Sequence, residues 1–243
     1  MRFALPEFYA DCERRFAAAL DGVGVSHRAA MQRYRMAPFA SDPEATLRPG
    51  ELYVLSMKPY AVRGRVYPFG REERAARPGL HRWLDGPRRH SNFCREAVAL
   101  LGGILDALGS DCPPREVFNT YATFFRAEDA RQLRGWGLAH VDCSELHRPL
   151  LSAVRPRVVL CIGNGPDPSA LATLLCVTGV EPAAVTAVGV APRTYVKHFR
   201  ACVVDGAKPS LILGVPHLSY VRAAQLLPTV RELVRRSAAN VQD

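Results

Sequence analysis

Apolar positions along this chain recur in two rhythms, one of helical spacing and one of short unbroken runs, and the two alternate. Near the N-terminus, Phe8, Cys12, Phe16 and Leu20 fall on one face, which predicts an amphipathic helix over 6–20. A second short helix is predicted over 27–35. Residues 51–57 (Glu-Leu-Tyr-Val-Leu-Ser-Met) form a run of strand length that Lys58-Pro59 halts. A long loop rich in Arg, Gly and Pro is expected over 60–90. Ser91 is a good N-cap for a helix that runs through Leu108 and ends at Gly109. A short strand is predicted over 116–121 and a helix over 143–154. The clearest strand covers 157–163 and passes through Asn164-Gly165-Pro166-Asp167-Pro168 into a helix over 169–176. A late strand over 211–215 precedes Pro216-His217, and an amphipathic helix over 220–237 closes the pattern.

Strands alternating with helices predict an α/β fold whose central, largely parallel sheet is flanked by helices. No internal repeat or linker interrupts the pattern, so residues 1–243 read as one domain. In such sheets the chemistry gathers in loops beyond the carboxyl ends of the strands. Four places qualify: after Met57, around Asn119, after Gly163 and after Val215. The Gly163–Gly165 stretch looks like a nucleotide loop but lacks G-x-G-x-x-G and a following Lys-Ser/Thr. A small-molecule enzyme binding a nucleotide there is therefore a distant alternative.

Composition narrows the class. With 48% hydrophobic residues and no low-complexity tract, global disorder is excluded. No apolar run approaches the roughly 18–20 residues that span a bilayer. The start Met1-Arg2-Phe3-Ala4-Leu5-Pro6-Glu7 does not read as a secretory signal, so a cytoplasmic protein without a membrane partner is expected. The seven cysteines form no C-x-x-C and are odd in number, so no zinc module or disulfide framework is expected. Cys161 and Cys176, inside apolar stretches, read as small core residues. The formal charge of +9 comes from 32 basic residues, of which only Lys58, Lys197 and Lys208 are lysines. Guanidinium groups suit bidentate contact with phosphate, so DNA becomes a candidate partner, with an affinity that falls steeply as salt rises.

At this point several short motifs, in order, resemble the uracil-DNA glycosylase superfamily. Met57-Lys58-Pro59-Tyr60, followed by Tyr67-Pro68-Phe69-Gly70, resembles that family's first active-site loop, D-P-Y in one branch and N-P-G with a later P-F-G in another. Ser91-Asn92-Phe93-Cys94-Arg95-Glu96 is similar to its S-L-x-N-I-x-x-E helix start. Phe118-Asn119-Thr120 and Phe125-Arg126-Ala127 resemble its L-L-N strand and V-R-A. Residues 156–163 are similar to its late strand, and Pro216-His217-Leu218-Ser219 stands where the family carries H-P-S. The resemblance covers about residues 50–237.

The resemblance implies a DNA N-glycosylase, a hydrolase that flips a pyrimidine out of the stack and cuts its glycosidic bond without metal or cofactor. Phe69 would stack on the base, with Met57 and Tyr60 beside it in the substrate loop. Asn119 would present its amide to the Watson–Crick edge; one acceptor and two donors can match uracil or cytosine. His217 would donate to the base as negative charge builds on it. Leu218, Tyr220 and Arg222 would meet the duplex, one of them as a wedge, with Leu218 as a helix-start staple the competing reading. A monomer is expected.

Three departures from the family pattern carry weight. Lys58 stands where the family places the Asp or Asn that positions water. Either another group manages the water, with Glu72, Glu73 and Asp85 in the adjoining loop, or Lys58 attacks the sugar as an amine, or catalysis is lost and a DNA-binding protein remains. The first, a monofunctional enzyme with Lys58 near water and phosphate and its pKa raised, is the expectation. Leu218 replaces the proline of H-P-S, and an Arg-rich loop over 71–89 carries the bulky Trp83. These two suggest a pocket reshaped for something other than plain uracil; the resemblance, which extends to bacterial defence glycosylases that remove bulky modified cytosines from viral DNA, implies an anti-phage role beside DNA repair.

Overall fold

The computed structural model describes residues 3–77, 79–86, 88–137, 143–166, 169–204 and 206–239. Helices α1 (Leu5–Gly22), α2 (Val25–Tyr34) and the single turn α3 (Pro43–Thr46) lead to strand β1 (Leu52–Ser56). Then come α4 (Gly70–Ala76), α5 (Asn92–Leu108), β2 (Phe118–Tyr121), α6 (Ala130–Gly135), α7 (Ser144–Val154), β3 (Val158–Ile162) and α8 (Ala170–Thr178). A hairpin of β4 (Thr186–Ala191) and β5 (Thr194–Ala201), strand β6 (Ser210–Val215) and helix α9 (Ala223–Ala239) complete the chain. The α/β expectation holds.

The six strands form one mixed sheet in the order β2-β1-β3-β6-β5-β4. The first four run parallel, and β5 is antiparallel to both neighbours. Every residue of β1, β2, β3 and β6 is buried, as strands covered on both faces must be. Alternation sends Tyr53, Leu55 and Phe118 into a layer with α1, α7 and α8, and Val54, Leu160 and Leu213 into a layer with α5 and α9. Helices α5 and α9 approach so closely that a Cβ on Gly103 would meet Leu227 Cδ2 at 2.2 Å. The caps of α5 stand as expected: Ser91 Oγ accepts from Cys94 N at 3.3 Å, and Gly109 takes φ +67°.

Differences from the sequence pattern have local causes. The expected 60–90 loop contains α4, whose start is fixed by Glu72 Oε2 accepting from Phe69 N at 2.9 Å. The pattern does not predict β4 and β5, because β4 is a largely exposed edge strand of small residues with no buried face to mark it. Cys176 is exposed although its neighbours are apolar, so only Cys161 of that pair is a core residue. Asp167 and Pro168, in the turn after β3, lie outside the described residues. Among the described residues no helix is long and apolar enough to cross a membrane.

Candidate active site at the carboxyl ends of the parallel strands

The loop after β2 is laced to the loop after β1: Ala122 N donates to Ser56 O at 2.6 Å and Thr123 N to Met57 O at 3.0 Å. This lacing brings the Ala127 carbonyl to Lys58, whose Nζ donates to it at 2.5 Å. Met57 packs, partly buried, against the α1 layer. Burial lowers the Lys58 pKa to about 8; Asp129 and Glu128 oppose that fall, and Arg88 adds to it. The expected environment is thus corrected in sign, because desolvation outweighs the nearby carboxylates. At pH 7 about nine in ten copies still carry the ammonium. Tyr60, 43% exposed, lies beneath the Arg88 guanidinium at 4.0 Å, with Lys58 at 5.8 Å.

His217 follows β6. Its Nδ1 accepts from Ser219 N at 3.3 Å, so the neutral ring carries its proton on Nε2. Part of the ring faces solvent, yet Phe93 (centroids 5.0 Å) and Tyr220 (5.8 Å) pack against it. That partial burial, with the Lys58 charge adding to it, holds His217 below its ordinary pKa and favours the neutral form. Lys58 and His217 therefore flank the end of β3, near enough for the Lys58 charge to act on His217. Glu96 of α5 helps to set this loop, since its Oε2 accepts from Ala223 N at 2.7 Å at the start of α9. Leu218 turns inward into the α5/α9 layer and is 1% exposed, so it is not presented as a wedge. Tyr220, at 89%, is the exposed side chain of that loop, and Arg222 is exposed beside it.

Asn119 sits within β2, opposite Val54 of β1. Its backbone is fully engaged: N donates to Ser41 Oγ at 2.9 Å, and O accepts from Ala40 N at 2.9 Å and Ser41 N at 3.1 Å. The side chain is completely buried, and neither Oδ1 nor Nδ2 makes a hydrogen bond. Leaving such groups unpaired costs about 1–3 kcal/mol each. Tyr9 Oη and Arg28 Nε are also unpaired, but Asn119 and His81 are the side chains with two such atoms among the described residues. Strand alternation puts Asn119 in the α5/α9 layer, on the side of Val117 and Val54. Phe69 is in the opposite layer, edge-on to Phe16 at 6.0 Å and 5% exposed. A stacking role for Phe69 against a base held by Asn119 is thereby corrected: its ring is committed to the core.

The three carboxylates expected to manage water are also committed. Glu72 caps α4. Glu73 is clamped by Arg82 and by fully buried Arg126, whose Nη2 lies 2.6 Å from it. Asp85 accepts two hydrogen bonds from Arg115, at 2.8 and 2.9 Å, which hold its carboxyl below the usual range. The carboxylates that do reach Lys58 electrostatically are Asp129, at the N-cap of α6, and Glu128, which sequence reasoning missed along with Arg88, Phe93 and His81. The Gly163 turn is internally used: Asn164 Nδ2 donates to Tyr195 O at 2.7 Å and Gly214 O at 3.2 Å, and Lys197 Nζ to Asn164 O at 2.9 Å. Those bonds commit the Asn164 amide and the Lys197 ammonium to the protein itself.

Two clefts, of about 280 and 330 Å³, lie at the amino ends of the strands and touch none of Lys58, Asn119 or His217. Among the described residues no group of three His, Cys, Asp or Glu side chains is placed to hold a metal ion. No protein-family model matches the chain, and no curated protein matches it.

Proposed function

We propose that the chain is a DNA glycosylase, with a fold of the uracil-DNA glycosylase type, that hydrolyses the N-glycosidic bond of a flipped pyrimidine or modified pyrimidine. The observation that carries this reading is Asn119, a buried amide holding one acceptor and two donors with none of them used. A flipped pyrimidine edge offers the complementary set. As the glycosidic bond breaks, its electron pair passes to the base. The Nε2–H of His217 and the ammonium of Lys58, which follow β6 and β1 on either side of β3, meet that developing charge. Water then adds its oxygen to the sugar carbon and releases its proton, leaving an abasic site. Tyr60, Tyr220, Arg88 and Arg222 supply exposed rings and guanidinium groups to the DNA, in keeping with the +9 charge.

The deciding experiment incubates the full chain with single- and double-stranded oligonucleotides carrying uracil, thymine, cytosine or 5-substituted cytosines. Hot alkali then breaks the strand wherever a base has been released. Cleavage at one class of pyrimidine supports the reading, and its absence across the panel removes it. A second reading, a DNA-binding protein without turnover, draws on the engagement of Glu72, Glu73 and Asp85 in structural bonds. It expects salt-sensitive binding to every oligonucleotide and no alkali-labile site.

A further inference from the structure

We infer that His81 is a second base-reading residue, contributing a hydrogen-bond donor and an acceptor to the same flipped pyrimidine that Asn119 holds; this rests on the glycosylase reading above. His81 is 1% exposed, and neither Nδ1 nor Nε2 has a hydrogen-bond partner. A buried imidazole with both nitrogens unpaired is an expensive way to fill a core position, and Phe or Leu would fill it without the loss. Its place is nonetheless tightly fixed. His81 N donates to Asp85 Oδ2 at 3.0 Å, and Arg115 holds that carboxylate. One residue on, Arg82 N donates to Ala40 O at 2.7 Å and Arg82 Nε to Phe39 O at 3.2 Å.

Ala40 is also the residue whose N–H binds the Asn119 carbonyl, so the 39–41 segment holds Arg82, the neighbour of His81, on one side and Asn119 on the other. Both side chains belong to the same layer: the His81 ring lies 6.2 Å from Trp83, which packs in the cluster containing Val54 and Val117, the neighbours of Asn119. From Trp83 the rings continue to Phe93 (5.5 Å), His217 (5.0 Å) and Tyr220 (5.8 Å). A file of aromatic side chains therefore joins the buried imidazole to the group assigned to the departing base and on to solvent. Burial also lowers the His81 pKa to about 4, so at neutral pH the ring offers one N–H and one lone pair. Because both side chains are closed to solvent, a base reaches them only as the covering side chains move.

The test compares His81→Phe and His81→Gln with the unaltered chain on whichever base that chain releases. It reads single-turnover excision, melting temperature and affinity for an abasic duplex. The expected result is at least a tenfold fall in excision for His81→Phe, with unchanged abasic-duplex affinity and a melting temperature equal or higher. His81→Gln, which keeps a donor and an acceptor, recovers part of the rate. Full activity in His81→Phe, or a sharp fall in melting temperature in both variants, makes His81 a core residue and overturns the inference. If Asn119→Ala alone loses excision, the glycosylase reading stands without His81. If the unaltered chain releases no base, both fall together.

Discussion

The two edges of the sheet are built from the same strands yet treat their polar groups in opposite ways. At the amino edge there is space but little unspent chemistry. Arg157 pairs with Glu51 at 2.9 Å, Arg48 pairs with Glu116, and Ser210 Oγ donates to Pro156 O at 2.6 Å, all around the two clefts. The carboxyl edge lies away from both clefts. There, however, Asn119 and His81 keep unpaired atoms, and Lys58 and His217 are pulled from their ordinary protonation by burial, with the Lys58 charge adding to the shift of His217. Polar groups held at a cost in stability point to chemistry more directly than volume does, because a buried group without a protein partner is open to one from outside the chain.

The comparison breaks most readily at Asn119. Asn119→Ala is expected to abolish excision, by about 10³-fold or more, while the melting temperature and non-specific DNA affinity stay nearly the same. A folded, fully active variant places base reading elsewhere; an unfolded one makes the amide structural. A smaller effect is expected at Lys58. Lys58→Gln should slow excision by roughly 10–100-fold through loss of its charge beside His217, and borohydride added during turnover should trap no adduct. An adduct that vanishes in Lys58→Gln would make the lowered pKa the mark of an amine nucleophile and the enzyme a lyase.

Acid sharpens the contrast through stability alone. The folded-state pKa of His81 is about 4 against an ordinary 6.5, so between those values the unfolded chain binds a proton that the folded chain refuses. Stability then falls as pH drops from 6.5 to 4, by up to about 3 kcal/mol, and His81→Phe should flatten that part of the curve. Denaturant melts across this range measure it; an unchanged slope in the variant refutes the assignment. The smallest effect belongs to the amino edge. Arg157→Ala, which opens a half-exposed ion pair, should cost about 0–1 kcal/mol and leave excision untouched. A large loss of activity there would reverse the ranking of the two edges.

Much of the scaffold is legible in the residues. The runs of β1, β3 and β6 are apolar or nearly so, and helix α5 carries its own signals in Ser91 and Gly109, so local rules suffice for them. His217 and Lys58 are visible as polar residues just past strand ends. Their placement on either side of one strand end is not, since it depends on β3 lying between β1 and β6 and on the loop after β2 being laced to the loop after β1. The hairpin of β4 and β5 escapes the pattern because an exposed edge strand has no buried face to impose a period.

By itself, then, the chain's pattern determined a parallel α/β sheet and the loops at its carboxyl ends, because burial on both faces demands continuous apolar runs. Only the tertiary structure decided what each candidate side chain does there. Phe69 and Leu218 are consumed by the core, and Glu72, Glu73 and Asp85 by caps and arginines. Asn119 and His81 are left with unused hydrogen bonds, and Lys58 loses part of its basicity to burial. Desolvation and partner choice are properties of neighbours brought from distant parts of the chain, and no local spacing encodes them.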